Sequence, residues 1–473
     1  MAAFGIKDVY TIMNVLARTA TGQADISVVD TSTFVDAGTK TLATGTDNVL
    51  NAIYRTIAEV RFQSRPYTGK FGLISADSNK FNNRIAKISY YSSDNTASGA
   101  FNTDANTNIA QGYDNGTNSG NSVGSMWEQN LPKVVERFFL KEAAYDKGYT
   151  TPLAQLQSAF NTEADFVRFW NGVMVEIEND VQSTTEARNR SIVANRIAQD
   201  FLTGNTGSKV NLTKLLNEEL GTSYTTQQIL ESHNKELMEV MTAYVKIISD
   251  RMTERTTKYH DPMTIAAAGS DPAYNVLRHT PKANQKIFYF GELFTKAKAK
   301  VMPEIFNPQY IDPINGEAVS YWQSSADADR MKIKIKPSLA DGATANEVEL
   351  DHVVAILFDD QALQSTMQFE GVYTTPVEAR KLYTNTWMHW KFGAISDPTE
   401  NSVIFYLADE TEVSGTGDGT TKAFTVSAKP ALIDRVTVDG TEVTGWTYVQ
   451  STGTVTLATA PANNKAVKIY FEA

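Results

Sequence analysis

Residues 161–204 read NTEADFVRFWNGVMVEIENDVQSTTEARNRSIVANRIAQDFLTG and form the longest helical pattern in the chain. A capping-box-like spacing of Thr162 and Asp165 opens the pattern, and Gly204 follows it. One face carries apolar residues at helical spacing, namely Phe166, Phe169, Val173, Ile177 and Val181. The pattern predicts one long amphipathic helix, and the polar run at 183–185 leaves a break in it open.

Two β-branched and aromatic segments lie before this helix, RIAKISYYS at 84–92 and LPKVVERFFLKEA at 131–143. The run between them is rich in Asn, Gly, Ser and Thr, and it cannot bury enough apolar surface to order itself alone. The two segments therefore predict the strands of a long projecting hairpin with a polar tip.

The first residues of the chain, 1–46, are small and polar and show no sustained period. This segment is typical of an arm that has no core of its own and lies on something else. Next, TDNVLNAIYRTIAEVRF at 46–62 repeats apolar residues at helical spacing behind Asp47, a candidate N-cap. The pattern predicts a short amphipathic helix here.

A second helical pattern begins at Thr225 and ends before Pro262. Its apolar stripe contains Ile229, His233, Leu237, Val240, Met241, Val245, Ile248 and Met252. Residues 263–407 then mix strand candidates (QKIFYF, RMKIKIK, DHVVAILF and NSVIFYL) with one short helix near GELFTKAKAKV, which is typical of an α+β lobe. After Ala408, short strands separated by Gly-containing turns predict a small β-sandwich domain.

Composition excludes several classes of protein and site. With a formal net charge of -11, the chain is not built as a dedicated nucleic-acid binder, which needs clustered cations. The absence of cysteine excludes disulfides, thiolate metal sites, iron–sulfur clusters and cysteine nucleophiles. Neither a basic leader with an apolar core nor a membrane-length apolar run is present, so we expect synthesis in the cytosol and no membrane contact.

The motifs that could carry chemistry are weak. GNSVG at 120–124 matches a nucleophile elbow only by letters, because it lies in the polar hairpin tip rather than between a buried strand and a helix. GTGDGT at 415–420 lacks the lysine and the helix of a phosphate loop.

The acidic residues and histidines fit no ligand spacing either. Asp351–His352 and Asp359–Asp360 flank an apolar strand and are better explained as its charged ends. The five histidines are scattered: His233, His260, His279, His352 and His389. We predict no catalytic, cofactor-binding or metal-binding residues and no cofactor, so the chain is not expected to be an enzyme.

Two strand segments could face a partner. RMKIKIK at 330–336 alternates apolar and basic residues, so one face is basic; contact with DNA and protection of an exposed sheet edge both remain open. In LYTNTWMHWKF at 382–392, alternation places Trp387, His389 and Lys391 on one face and Met388, Trp390 and Phe392 on the other. The second face is expected to pack a core and the first to meet another layer or subunit.

Three stretches resemble the major capsid proteins of tailed bacteriophages, and in particular those of small short-tailed phages with protein-primed genome replication. They are residues 46–62, 131–177 and 351–407. The resemblance implies the Hong Kong 97-type fold, an α+β fold, with a small all-β C-terminal domain of immunoglobulin-like type. It implies the following boundaries: arm 1–46, short helix 47–70, extension loop 71–141, peripheral domain 142–262, axial domain 263–371, returning peripheral strands 372–410 and the β-sandwich 411–473.

The function that this resemblance implies is assembly into the hexamers and pentamers of an icosahedral head around double-stranded DNA. Expected partners are copies of the chain itself, scaffolding, portal and other head proteins, and the packaged DNA through weak, non-specific contact. The protein is expected in the virion and, during assembly, in the host cytoplasm. We expect its arm and loop to be ordered mainly by neighbouring subunits.

The C-terminal domain is expected on the outer surface, in adhesion or decoration, and removable at Val413 without loss of shells. Two other functions stay open, a tail or other virion structural protein and, less favoured, a carbohydrate-active enzyme with a β-sandwich module.

Overall fold

The computed structural model describes residues 6–21, 28, 31–42, 44, 71–76, 85–91, 107–108, 113–114, 133–139, 142–154, 163–202, 207–261, 264–265, 274–295, 316–323, 330–337 and 345–472. The chain divides into two compact units, of which the first comprises Met1–Lys80 and Glu142–Ala473 and the second comprises Phe81–Lys141. The predicted helix at 47–62 and the GNSVG motif lie outside the described residues.

The described helices are α1 (Ile6–Thr21), α2 (Thr31–Leu42), α3 (Glu163–Leu202), α4 (Leu212–Leu220), α5 (Thr226–Ser232) and α6 (Asn234–Arg251). The strands up to residue 319 are β1 (Ser75–Ala76), β2 (Ile85–Tyr91), β3 (Thr107–Asn108), β4 (Tyr113–Asp114), β5 (Lys133–Phe139), β6 (Glu142–Pro152), β7 (Lys209–Asn211), β8 (Thr264–Ile265), β9 (Tyr274–Asn275), β10 (Gln285–Phe290) and β11 (Gly316–Val319). The later strands are β12 (Ile333–Ile335), β13 (Val348–Leu350), β14 (His352–Asp359), β15 (Leu363–Thr374), β16 (Tyr383–Ser396), β17 (Ser402–Leu407), β18 (Glu410–Thr416), β19 (Ala423–Thr425), β20 (Arg435–Val438), β21 (Thr441–Glu442), β22 (Thr447–Val449), β23 (Thr454–Thr456) and β24 (Ala466–Glu472).

A five-stranded sheet in the order β11-β10-β14-β17-β7 forms the centre of the first unit. Its central strands β14 and β17 are almost wholly buried, because helices cover both faces. One face, with Ile356 and Ile404, packs against α3. The other, with Leu357 and Phe405, packs against α4, α5 and α6. Burial on both faces explains why these strands read as continuous apolar runs, and the predicted mixture of helices and sheets is confirmed.

Helix α3 is continuous over 40 residues, or roughly 60 Å at the α-helical rise. The break left open at 183–185 does not occur. The hydroxyls of Thr184 and Thr185 donate to the carbonyl oxygens of Asp180 and Val181 in the preceding turn, at 2.9 and 2.7 Å. The hydroxyl groups of the polar run therefore find hydrogen-bond acceptors within the helix itself.

A fully buried arginine on α3, Arg196, holds the helix to the turn between β16 and β17. Its guanidinium donates to the backbone carbonyls of Asp397 and Glu400 and to the carboxylate of Asp200. Burial raises the pKa of Asp200 while Arg196 acts against that rise. The turn thus supplies two backbone acceptors to a charge that would be costly to bury alone.

The second helical region is divided rather than continuous. Helix α5 begins with a complete capping box of Thr225 and Gln228 and ends at His233, and α6 starts at Asn234. The predicted stripe is otherwise retained in the core, whereas His233 is half-buried and stacks on Tyr224 at 4.1 Å between ring centroids.

A further helix that was not predicted, α4, precedes this region. The side chain of Asn211 caps its N-terminus, and Gly221 with φ 65° ends it in the left-handed conformation.

The N-terminal arm differs from its prediction, since α1 and α2 are regular helices that pack on each other. Met13, Leu16 and Phe34 are fully buried. The connecting segment is tied back where the amide nitrogen of Val28 donates to Asn14 Oδ1 at 2.7 Å. The helical period was missed because frequent threonines interrupt it; several of these threonines bond to carbonyls one turn earlier, as Thr41 does to Ala37.

A four-stranded sheet in the order β1-β15-β16-β6 forms another part of the first unit. The long strands β15 and β16 pair antiparallel, with a register shift between Phe369 and Gly371, and β16 pairs antiparallel with β6 along 11 residues. The predicted extension loop starts at residue 71, but Phe71 and Ile74 are buried in the core on the α3 side of the central sheet. The second unit starts only at Phe81.

The second unit contains the predicted hairpin. Strands β2 and β5 pair antiparallel from Ile85 opposite Phe139 to Tyr91 opposite Lys133, and β3 and β4 form a small ladder between them. Both segments predicted as strands from their composition therefore are strands and pair with each other.

The C-terminal region of the first unit contains two small sheets, in the orders β18-β24-β20-β21 and β19-β23-β22. They enclose a common core that includes Val436, Val455 and Ile469. Turns with positive φ at Asp439 and Gly440 connect β20 to β21, in keeping with the Asp-Gly turn in the sequence.

Candidate assembly surfaces

Strand β16 has one buried and one open face, as its alternation predicts. Met388, Trp390 and Phe392 are buried, whereas the side chain of Trp387 is 42% exposed and those of His389 and Lys391 are half-buried. The buried face packs with β6, where Tyr145 lies stacked against Trp390 and edge-on to Phe392. The WMHW segment is therefore a strand that presents alternate residues outward.

Two aromatic rings on the open face lie on glycines of the sheet. Trp387 covers Gly148 of β6 so closely that a Cβ at this glycine would lie 3.0 Å from the indole ring. Tyr373 of β15 covers Gly371 in the same way and meets His389 edge-on, 5.8 Å between ring centroids. We call Tyr373, Trp387 and His389 the aromatic face. The rings of Trp387 and Tyr373 are exposed on one side, and their other side already packs against glycines of the sheet.

The hairpin of the second unit also exposes apolar side chains. Ile88 of β2 is 51% exposed and Phe138 of β5 is 39% exposed. The register pairs Ile88 with Glu136 and Ala86 with Phe138, so Ile88 and Phe138 lie diagonally on one face of the ladder. A two-stranded hairpin is marginal on its own, so these exposed apolar side chains are candidates for contact with a partner.

Two of the basic residues at 330–336, Lys332 and Lys334, form ion pairs with acidic residues on and next to the neighbouring strand. Strand β13 pairs antiparallel with β12 and carries Glu349, which forms ion pairs with Lys332 and Lys334. Asp351 also pairs with Lys332, at 2.8 Å. The hydrogen bonds that Lys332 donates to Asp351 and Glu349 raise the pKa of its ammonium group above the usual range. Of the two interpretations left open, this arrangement favours a charged sheet edge over a surface for DNA.

The remaining motifs take structural roles. Asp418 of GTGDGT accepts hydrogen bonds from the hydroxyl of Thr421 and from the backbone nitrogens of Thr421 and Thr420, which close a turn and lower the pKa of the carboxyl. Asp359 at the end of β14 accepts from the backbone of Gln361. Within the described part of the chain, no group of three His, Cys, Asp or Glu residues could hold a metal ion. The helices described there all fall short of what a membrane span requires.

The C-terminal sheets are joined to the rest of the first unit along a polar seam. The hydroxyl of Tyr406 donates to the carboxylate of Glu472. The amide of Asn211 donates both to Glu472 Oε1 and to the carbonyl of Ala408, each at 3.0 Å. Burial, followed by the charge of Glu472, raises the pKa of Tyr406 well above its usual value. We call this cluster of Asn211, Tyr406 and Glu472 the seam.

A second contact joins the same sheets to the segment before β13. Gln450 accepts from the backbone nitrogen of Glu347 at 2.7 Å and donates to its carbonyl at 2.6 Å. Asn346 donates to the carbonyl of Ala431, which is buried in the core on the α3 side. Moreover, only two residues, Ala408 and Asp409, separate β17 from β18. This close attachment argues against the expectation that the C-terminal domain can be removed at Val413 without loss of shells.

These docking residues were not identified from the sequence. They are isolated polar side chains, separated by 261 positions for Asn211 and Glu472 and by 103 for Glu347 and Gln450, and no periodic pattern marks them. The nearest signal was the Asn211-Leu-Thr triplet, which fits the N-cap of α4.

Comparison with solved structures finds chains from phage particles. The capsid structure of Staphylococcus phage Andhra shares 11% identity over 71% of this chain and 83% of that chain, with a TM-score of 0.43. A chain from the head fiber and inner core structure of bacteriophage P68 shares 11% identity over 72% and 84%, with a TM-score of 0.42. The capsid of Helicobacter pylori bacteriophage KHP30 shares 10% identity over 72% and 91%, with a TM-score of 0.34. No curated protein matches the sequence.

A family model described as the Phi29-like phage major capsid protein matches residues 13–406, which is most of the chain. The match ends next to Leu407, where β17 gives way to the C-terminal sheets. It confirms the expectation of a phage capsid protein, a structural component of the virion that assembles with copies of itself into a shell. The chain belongs to the family of Phi29-like phage major capsid proteins.

Proposed function

We propose that this chain forms the hexamers and pentamers of an icosahedral head that encloses double-stranded DNA, with the Hong Kong 97-type fold. The observation that carries the proposal is the family match over 13–406 together with a hairpin that is a unit of its own. In this proposal, the hairpin is the extension loop, α3 is the spine helix, and the central sheet and the sheet with β16 belong to the axial and peripheral domains.

The contact between subunits is proposed to join the two exposed apolar surfaces. The face of the hairpin with Ile88 and Phe138 lies on the aromatic face of a second copy. Both surfaces expose apolar side chains, and an interface that repeats around a ring must use two different patches of each subunit. Hydrogen exchange at 85–91 and 133–139 tests this contact: protection is expected in shells but not in isolated subunits, and equal exchange in both would contradict it.

The C-terminal sheets are proposed to form an immunoglobulin-like sandwich on the outside of the shell, for adhesion or decoration. Their position on the seam supports this proposal, because docking fixes which strands face outward. The turn at Asp439 and Gly440 is exposed. A peptide tag inserted there is expected to bind antibody on intact heads, and binding only after disruption would place the sheets inside.

Packaged DNA is proposed to contact the shell weakly and without sequence preference. The net charge of -11 and the ion pairs of Lys332 and Lys334 support this, since a strongly cationic wall would retain DNA by counterion release. Scaffolding, portal and other head proteins are proposed partners, with assembly in the host cytoplasm.

Electron microscopy of the protein expressed alone and with a scaffolding partner tests the proposed function. Icosahedral shells are the expected product. Tubes would favour a tail component, and a persistent monomer under both conditions would contradict assembly.

A further inference from the structure

Four polar side chains form a buried hydrogen-bonded chain at the junction of four segments. His260 follows α6, Thr280 precedes β10, Asp359 ends β14 and Asn401 precedes β17. All four are at most 5% exposed, and Thr280 and Asn401 are completely buried. None of them takes part in the surfaces described above. We call these four residues the relay.

The relay runs from the imidazole to the carboxylate. His260 Nδ1 lies 2.9 Å from Asn401 Oδ1, and His260 Nε2 lies 2.8 Å from the carbonyl oxygen of Val276. Asn401 Nδ2 donates to Thr280 Oγ1 at 3.1 Å, and that hydroxyl donates to Asp359 Oδ2 at 2.7 Å. Every link is within hydrogen-bonding distance.

Counting hydrogens along the relay shows that it needs an extra one. A carbonyl only accepts, so His260 Nε2 carries a proton. The single hydroxyl hydrogen of Thr280 points to Asp359, so Asn401 must donate to Thr280 and turn its oxygen to the imidazole. The link between Asn401 Oδ1 and His260 Nδ1 then needs a hydrogen of its own, one more than a neutral imidazole and an ionised Asp359 supply.

One other arrangement satisfies every link with the same number of protons. If Asp359 holds the extra proton, it donates to Thr280, the hydroxyl donates to a turned amide of Asn401, and that amide donates to a neutral His260. If the extra proton is removed, one of the four links has an acceptor at both ends and no hydrogen between them. This is true for either orientation of the Asn401 amide. A buried contact of this kind leaves both acceptors without a donor and is therefore unfavourable.

The charged groups around the relay come from each segment packed against it. Asp360 follows Asp359, and Arg278 pairs with Glu400 at 3.4 Å. Arg196, Asp200 and Asp397 lie along the other side of the β16–β17 turn. Burial raises the pKa of Asp359, with Asp360 adding to the rise and the hydrogen bonds from Gln361 and Thr280 opposing it.

We propose that the relay of His260, Asn401, Thr280 and Asp359 holds one extra proton in the folded subunit and makes the stability of the junction between its four segments depend on pH. When the pH rises far enough to remove that proton, the relay loses a hydrogen bond at the point where its four segments meet. The sensor is independent of the proposed contact between subunits, because it lies inside one chain.

The direction of the pH dependence follows from the proton count. Above about pH 6.5 an unfolded histidine is neutral and an unfolded aspartate is ionised, so the unfolded chain lacks the proton that the folded relay keeps. Stability from the relay is therefore fully present below about pH 6.5 and falls as pH rises, by tenfold in the folding equilibrium constant per pH unit, until the relay releases its proton.

Asp359→Asn tests the proposal, because the new amide can donate to Thr280 permanently and still accept from the backbone of Gln361. We expect the fall in stability with rising pH, measured by denaturant unfolding of subunits from about pH 6.5 upward, to be smaller in this variant than in wild-type subunits. Asp351→Asn, at an exposed carboxylate that does not belong to the relay, is the matched control and should keep the wild-type slope.

Thr280→Val and Thr280→Ser provide a second route if Asp359→Asn folds poorly. Valine removes the hydroxyl that joins the two ends and should reduce the slope, whereas serine should preserve it. Slopes that stay parallel to wild type in Thr280→Val, or in a folded Asp359→Asn, would overturn the proposal.

Discussion

Two segments that the sequence predicts as appendages differ in how they are held. The C-terminal sheets at 410–472 share a compact unit with the capsid fold, joined to it by the seam and by the contact of Gln450. The hairpin at 81–141 is a unit of its own and keeps Ile88 and Phe138 exposed. The C-terminal sheets are therefore held by contacts within their own chain, whereas the hairpin exposes apolar surface that a neighbouring copy can cover.

A change of composition along the chain therefore does not show whether the segments on either side of it form separate compact units. The style of the sequence changes sharply after Ala408, yet Tyr406 and Ala431 on either side of that change are buried in the same core. The hairpin, in contrast, runs without a comparable change into β6 and is nevertheless separate. The predictions below test which appendage the first unit depends on.

Removing residues 410–473 is expected to have the largest effect on the subunit. It uncovers Tyr406 and the core near Ala431, which should lower the free energy of unfolding by on the order of 3–5 kcal/mol, the value for exposing a few core side chains. Thermal unfolding measures this. The matched control replaces the hairpin tip at 92–132 by Asn-Gly and should leave the first unit unchanged; equal losses would remove the distinction between the appendages.

Tyr406→Phe is expected to weaken the seam by about 1.5–3 kcal/mol, because Glu472 then loses a charge-assisted hydrogen bond in a largely buried place. Denaturant unfolding at neutral pH measures this loss. Tyr448→Phe is the control, since its hydroxyl donates to the neutral carbonyl of Pro430 within the C-terminal sheets, and it should cost only about 1 kcal/mol. A larger loss for Tyr448→Phe would show that the seam adds little.

Trp387→Ala is expected to lower subunit stability by about 1 kcal/mol, since the indole is partly exposed but covers Gly148. Its main effect should be on assembly, with fewer shells in sedimentation and electron microscopy. Thr374→Ala, at the end of the neighbouring strand β15, serves as the control. Normal shells from Trp387→Ala would exclude the aromatic face from the interface between subunits.

The double change of Ile88→Ser and Phe138→Ser is expected to have the smallest effect on the subunit, within about 0.5 kcal/mol, because both side chains are exposed. Shell formation should nevertheless be lost. Lys87→Ser, on the opposite face of the same strand, should assemble normally. If the double variant unfolds at markedly lower denaturant, the hairpin is held by its own chain and the contrast with the C-terminal sheets disappears.

Much of the fold could be predicted because the spacing of apolar residues within a segment indicates whether it forms a helix or a strand. The pattern at 161–204 gave α3, the two apolar segments gave β2 and β5, and alternation at 387–392 gave the two faces of β16. Polar residues in apolar patterns caused the failures. Threonines concealed α1 and α2, and His233 was placed within a continuous helix although α5 ends there.

The docking of the C-terminal sheets could not be predicted, because it depends on which distant polar side chains meet. Asn211, Glu472 and Gln450 each read as ordinary surface residues in their own segments. The same limit applies to the relay, whose His260 and Asp359 are 99 positions apart in the sequence and look unrelated. A single sequence reports periods well and such pairings poorly.

The burial of Arg196 has a consequence for synthesis on the ribosome. Its carbonyl partners at Asp397 and Glu400 lie 201 and 204 positions further along the chain. At about 5–20 residues per second, roughly 10–40 s pass between the translation of α3 and that of the turn that receives its guanidinium. During this interval the helix can form but cannot dock, and its core face needs protection from other nascent chains. The order of translation therefore makes the joining of helix and turn a late event, after nearly the whole capsid fold has been made.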